Sequence, residues 1–135
     1  MGELLRVLRE WLLFFFTANR YRFVDSQAGP SFNDAFIELA SSTLRWRLVQ
    51  DRAQIFLNCR PAQGSYKDWE WYSADILIRL LTGRRVDSAV LTLEMASWFG
   101  SNLSDIEERF SEERLEKTKS ELKKLEQLRA KELFG

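Results

Sequence analysis

The chain has 135 residues, 45% of them apolar and 13% aromatic, with 20 basic side chains balancing 20 acidic ones and no histidine. That length and apolar content suit one domain around one core and lie far from a disordered composition. Without histidine there is no Ser-His or Cys-His nucleophile pair, no His-ligated zinc and no side chain titrating unperturbed near neutrality, so the expectation is a non-enzyme that binds.

From Leu4 to Phe16 the apolar residues Leu4, Leu5, Leu8, Trp11, Leu12 and Phe15 recur at three- and four-residue intervals opposite Glu3, Arg6, Arg9 and Glu10, which predicts an amphipathic helix. Its last turn is apolar all round and is expected to sink into the core. The apolar run 11–16 has no small-residue cleavage site after it, and it is far shorter than the roughly 20 residues that span a bilayer. A membrane partner is therefore not expected.

The period then changes. Tyr21–Val24, Ala35–Ala40, Thr43–Val49 and Gln54–Cys59 alternate or are rich in β-formers, and read as four strands. Leu44, Trp46 and Leu48 share one face of the third, Arg45 and Arg47 the other. Connections as short as 40–42 and 50–52 exclude parallel crossovers, so the sheet is expected to be an antiparallel meander. Gly29 and Pro30 mark the longer loop between the first two strands.

Past Pro61 and Gly64 lies an aromatic cluster, Tyr66, Trp69, Trp71 and Tyr72, interleaved with Asp68 and Glu70. It is either a fifth strand or an extended lead-in. A helix follows, capped near Ser73, with Ala74, Ile76, Leu77, Leu80 and Leu81 as its buried stripe and Gly83 as its stop. Asp87 or Ser88 is the expected cap of the next helix, Ala89–Phe99, ended by Gly100. Ser104 stands three residues before Glu107, the capping-box spacing, and is expected to open a charged helix running to about Leu133. The fold class expected is therefore α+β: an N-terminal helix, a four- or five-stranded antiparallel meander, then three helices. The domain division expected is a core at 1–103 and a charged C-terminal helix at 104–135, packed on that core or projecting from it.

Candidate surfaces follow from residue type. Asp68, Trp69, Glu70, Trp71 and Tyr72 combine the aromatics that most often anchor interfaces with carboxylates suited to a basic protein partner; the competing reading is that the tryptophans close the core. Leu115, Leu122, Leu125 and Leu128 form a narrow apolar seam with near-heptad spacing, a candidate helix-pairing surface for a homodimer or a structural, oligomerising role; packing on the chain's own surface is the ordinary alternative. Arg45 and Arg47, with Arg20 and Arg22, could make a basic sheet face of the kind that binds RNA or DNA. Only Phe36 offers a stacking ring beside it, and zero net charge gives no global pull toward nucleic acid, so cross-strand pairing with Glu38 is the ordinary explanation. Cys59, the one cysteine, is expected to be an inert buried thiol in a reducing cytoplasm. Nothing predicts a catalytic residue, metal ligand or cofactor.

The run Phe36-Ile37-Glu38-Leu39, then Leu44 through Asp51-Arg52, Ile55-Phe56-Leu57 and Trp71-Tyr72 opening a Leu-rich helix resembles small uncharacterised bacterial α+β families in which a strand ends in an Asp-Arg turn and a Trp-Tyr pair precedes the next helix. Some of those are similar to immunity proteins. The resemblance covers about residues 33–82. It implies a protein that binds and neutralises a bacterial toxin.

Overall fold

The computed structural model describes residues 1–17, 20–28, 34–64 and 70–134. In chain order the elements are α1 (Gly2–Trp11), α2 (Phe14–Thr17), β1 (Arg22–Ala28), β2 (Asp34–Ala40), β3 (Leu44–Asp51), β4 (Gln54–Pro61), β5 (Tyr72–Ser73), α3 (Ala74–Thr82), α4 (Leu93–Arg109) and α5 (Leu115–Phe134). The strands form one antiparallel sheet in the order β1-β2-β3-β4-β5. This is the α+β meander expected, with a fifth strand that comes from Tyr72 and Ser73.

Alternation divides the sheet into two faces. Ile37 and Leu39 of β2, Leu44, Trp46 and Leu48 of β3, and Ile55, Leu57 and Cys59 of β4 are buried, and they share the core with Leu4, Leu8, Phe15, Leu77, Phe99 and Ile106 from the helices. Trp46 is fully buried at its centre, its ring 5.6 Å from those of both Phe15 and Phe99. Residues of opposite parity in β2–β4, Phe36, Arg45, Arg47, Val49, Phe56, Asn58 and Arg60, are half-buried on the other face. The β3–β4 turn places Arg52 in the left-handed region, at φ 58°.

Several boundaries differ from those read in the sequence, each for a local reason. The first helix breaks at Leu12, where φ is −120°, and resumes as α2; Leu12 and Phe15 are buried while Leu13 and Phe16 stay exposed, so the aromatic end is only half sunk. β1 continues through Asp25, Ser26, Gln27 and Ala28, which pair with β2 despite carrying no β-forming signal. Thr92, not Asp87 or Ser88, caps α4, accepting from the Met95 amide at 3.1 Å. Gly100 and Ser104 lie inside α4, and the break falls instead at 110–114.

Gly100 is in α4 because α2 crosses there. A Cβ added to it would lie 2.9 Å from Cδ2 of Phe14. A glycine costs a helix about 1 kcal/mol relative to alanine, but overpacking costs about 1–3 kcal/mol, so the contact decides the sign. Gly100→Ala is therefore expected to lower stability in the native background and to raise it by up to about 1 kcal/mol in a Phe14→Ala background. Urea unfolding of the four chains measures both; the same sign in both backgrounds would remove the packing explanation.

Candidate functional site

Each outward position of the sheet follows from register. Arg22 lies opposite Ala40, Ala40 opposite Arg45, and Arg45 opposite Arg60, so three arginines stand on one rung across four strands. Glu38 and Arg47 face each other one rung along. Like charges directly opposite repel, and this rung is stable because of its neighbours. Glu38 has 1% of its surface exposed, and both Arg45 and Arg47 ion-pair with its carboxylate, the latter through Nε at 2.8 Å. A carboxylate buried on a sheet face needs such pairing, because the desolvation of an isolated charge is far larger than any one hydrogen bond returns.

Aromatic rings hold the same guanidiniums from the side. Arg47 stands over Phe36 at 4.4 Å and over Trp71 at 4.8 Å from the ring centroids, and Arg60 over Trp71 at 4.4 Å. Trp71 reaches this position because β5 pairs Tyr72 with Cys59, which turns Tyr72 toward the core and its predecessor outward. The Tyr72 ring accordingly lies 6.2 Å from that of Phe110. Trp71 Nε1 is buried and has no hydrogen-bond partner among the described residues.

The aromatic-acidic segment and the arginine face, two separate candidates in the sequence, therefore meet through Trp71. Within the segment, Trp71 and Tyr72 lie on opposite faces, Glu70 is half-buried, and Asp68 and Trp69 lie outside the described residues. Arg22 joins the outward rung, while Arg20 is exposed ahead of β1. What the sequence could not supply was the fifth strand's phase, since Trp69 and Trp71 share a face under any extended reading.

The leucine seam is turned toward the chain itself. Leu122 is fully buried in the core, Leu115 and Leu125 pack against that core, and Leu128 remains 41% exposed. Ion pairs bind α5 to α3: Arg129 to the buried Asp75 at 3.0 Å, and Arg79 to Glu132 at 2.8 Å. Ser73 occupies the cap position of α3 but donates to Asp75, which Arg129 also reaches. A cleft of about 390 Å³ lies beside these pairs, lined among others by Arg85 and Glu126. Burial raises the Glu126 carboxyl above the usual carboxylate range. The other charged groups of the cleft are largely spent on one another.

A second buried polar cluster lies in the core. Tyr21 and Ser41 both donate to Glu107 of α4, Ser41 at 2.9 Å, and Trp46 Nε1 donates to the Tyr21 hydroxyl at 3.1 Å. Ser41 Oγ also accepts from the Leu44 amide at 3.0 Å, fixing the β2–β3 turn. The cluster thus ties α4, β3, a turn and the entry to β1 together. Burial, then the hydrogen bond to Glu107, pushes the Tyr21 hydroxyl far above the ordinary tyrosine range. Cys59 is buried, and desolvation followed by the Glu107 charge raises its thiol likewise, which fits an inert packing role.

The chain matches no protein family, no curated protein and no solved structure.

The tyrosine shift has a sign that can be checked. Its folded-state proton is held more tightly than the unfolded one, so its contribution is complete below the unfolded value of about 10 and is lost as pH rises above it. Tyr21→Phe is expected to cost about 1–3 kcal/mol at pH 7, because Trp46 and Glu107 lose a buried partner. That difference should narrow as pH climbs beyond the ordinary tyrosine range. Denaturant titrations of both chains from neutral to alkaline pH check it; a constant gap would show that Tyr21 keeps no tighter a proton when folded.

Proposed function

We propose that this chain is a non-catalytic protein-binding module that docks an acidic surface of its partner on the open face of the sheet. The observation that carries the reading is the rung of Arg22, Arg45 and Arg60, flanked by Arg47 and by the ring of Trp71. Arginine and tryptophan are the residues that most often dominate interface energy, and here the guanidiniums of Arg45, Arg47 and Arg60 are held in place before any partner arrives. A composition without histidine supports binding over catalysis.

Sequence alone, through Asp68 and Glu70, weights the partner toward a basic surface. The described part of the face weights it toward an acidic one, because Trp71 sits among arginines. Nucleic acid is the less favoured polyanion, since Phe36 and Trp71 are already engaged by guanidiniums and offer bases no free stacking platform. An immunity-type role, with a toxin as the acidic partner, is the most specific form of this reading and is motivated by the resemblance of residues 33–82.

The test uses the full chain as bait in a lysate of its source organism, beside an Arg22→Glu/Arg60→Glu variant and a Lys123→Glu/Lys124→Glu control that makes the same charge change on the exposed side of α5. A protein captured by the native chain and the control, released by added salt and reduced about tenfold by the face variant is the expected result. Equal capture by all three baits would sink the assignment of this face.

A further inference from the structure

We propose, on the basis of that reading, that the partner engages through an extended segment that adds as a strand to the free edge of β1, with an acidic residue opposite Arg22 and an apolar residue beside Phe23. Among the described residues β1 is the terminal strand of the sheet and pairs on one side only, with β2. All its residues but Val24 are exposed, and its sequence holds no proline to blunt the edge. The Ser26 amide donates to Oδ1 of its own neighbour Asp25 at 2.8 Å. A side-chain carboxylate there does for a strand amide what the backbone carbonyl of an added strand would do.

Side-chain chemistry at this edge selects the segment. Arg22 faces outward and ends the arginine rung at the free edge, so a carboxylate on an added strand would lie opposite it, close enough to pair. Phe23, the next residue, has the opposite parity and is 55% exposed, its ring 5.7 Å from that of Phe16, which is itself 40% exposed. These two rings, one from α2 and one from β1, form an apolar pair left open to solvent. Successive residues of a strand point to opposite faces, so a segment that satisfies both neighbours alternates acidic and apolar residues. The register shift between Phe23 and Asp25 bends this edge. A bent edge resists the flat, rigid edge of a second sheet and leaves a flexible segment as the better fit.

The probe is a short, terminally blocked peptide of alternating Glu and Val, compared with a Lys-Val peptide of the same pattern and with a peptide of the same Glu and Val content in two blocks. Anisotropy titrations into the full chain should give binding of the alternating Glu-Val peptide about tenfold tighter than of the other two, and a loss of about tenfold in the Arg22→Glu and Ser26→Pro variants. Ser26→Pro removes an edge amide while leaving the arginine face intact, and unchanged thermal unfolding confirms that it folds. Hydrogen exchange on the native chain gives a second reading that needs no variant: saturating peptide should slow exchange of β1 amides. Absence of binding, unslowed β1 exchange, or a folded Ser26→Pro chain that binds like the native one would each overturn strand addition. Should capture by the bait chains still depend on Arg22 and Arg60, the open-face reading would stand and only its strand-pairing form would fall.

Discussion

Glu38 keeps 1% of its surface exposed on the side of the sheet that the core does not use, and the arrangement of that side depends on it. Arg45 and Arg47 each give it an ion pair, and each is at least partly shielded as a result. Taken alone, an arginine directly opposite another on adjacent strands is a repulsive pair, as Arg45 and Arg60 are. Glu38 draws Arg45 toward β2, while the Trp71 ring offers Arg60 a place on the side of β5. The guanidiniums are therefore separated, oriented and partly desolvated in advance, which is the condition under which charged side chains contribute most to recognition.

The same alternation builds the other face. Trp46 lies between Arg45 and Arg47 in sequence and points into the core, where Phe15 and Phe99 meet it from α2 and α4. Its indole nitrogen donates to Tyr21, which donates to Glu107. A buried carboxylate thus anchors each side of the molecule: Glu38 between two cations outside, Glu107 among hydroxyls inside. The difference in partners follows from the neighbours each carboxylate meets: Glu38 lies opposite Arg47 and diagonal to Arg45 on the sheet, whereas Glu107 meets the hydroxyls of Tyr21 and Ser41, neutral donors that bring in no second charge to desolvate.

The strands β2, β3 and β4 were legible because their buried and outward residues alternate without interruption, and α3 because its apolar stripe ends at Gly83, which adopts the left-handed conformation at φ 75°. Where local signals failed, tertiary packing had overridden them. Gly100 read as a helix stop but serves the approach of Phe14, and the spacing of Ser104 to Glu107 read as a capping box although Glu107 is turned inward to Tyr21 and Ser41. The run Asp25 to Ala28 gave no strand signal because an edge strand exposed on nearly every position has no apolar period to show. For the candidate site, Arg45, Arg47 and Glu38 were legible as a cross-strand group, whereas the arrival of Trp71 among them required the pairing of Tyr72 with Cys59, a contact no spacing rule could supply.

Two kinds of incompleteness meet at β1. The arginine rung ends there with Arg22, and the inward apolar surface ends there with Phe23 and Phe16 still exposed. In a sheet closed on itself the next strand would cover both, and at the opposite edge β5 and the bridge between Phe56 and Val90 do part of that work. At β1 the described residues supply the Asp25 carboxylate to one amide and a shift of register. Those two features limit adventitious pairing but leave the rings of Phe16 and Phe23 exposed, and it is this asymmetry between the two edges that favours the β1 side of the sheet for the proposed contact.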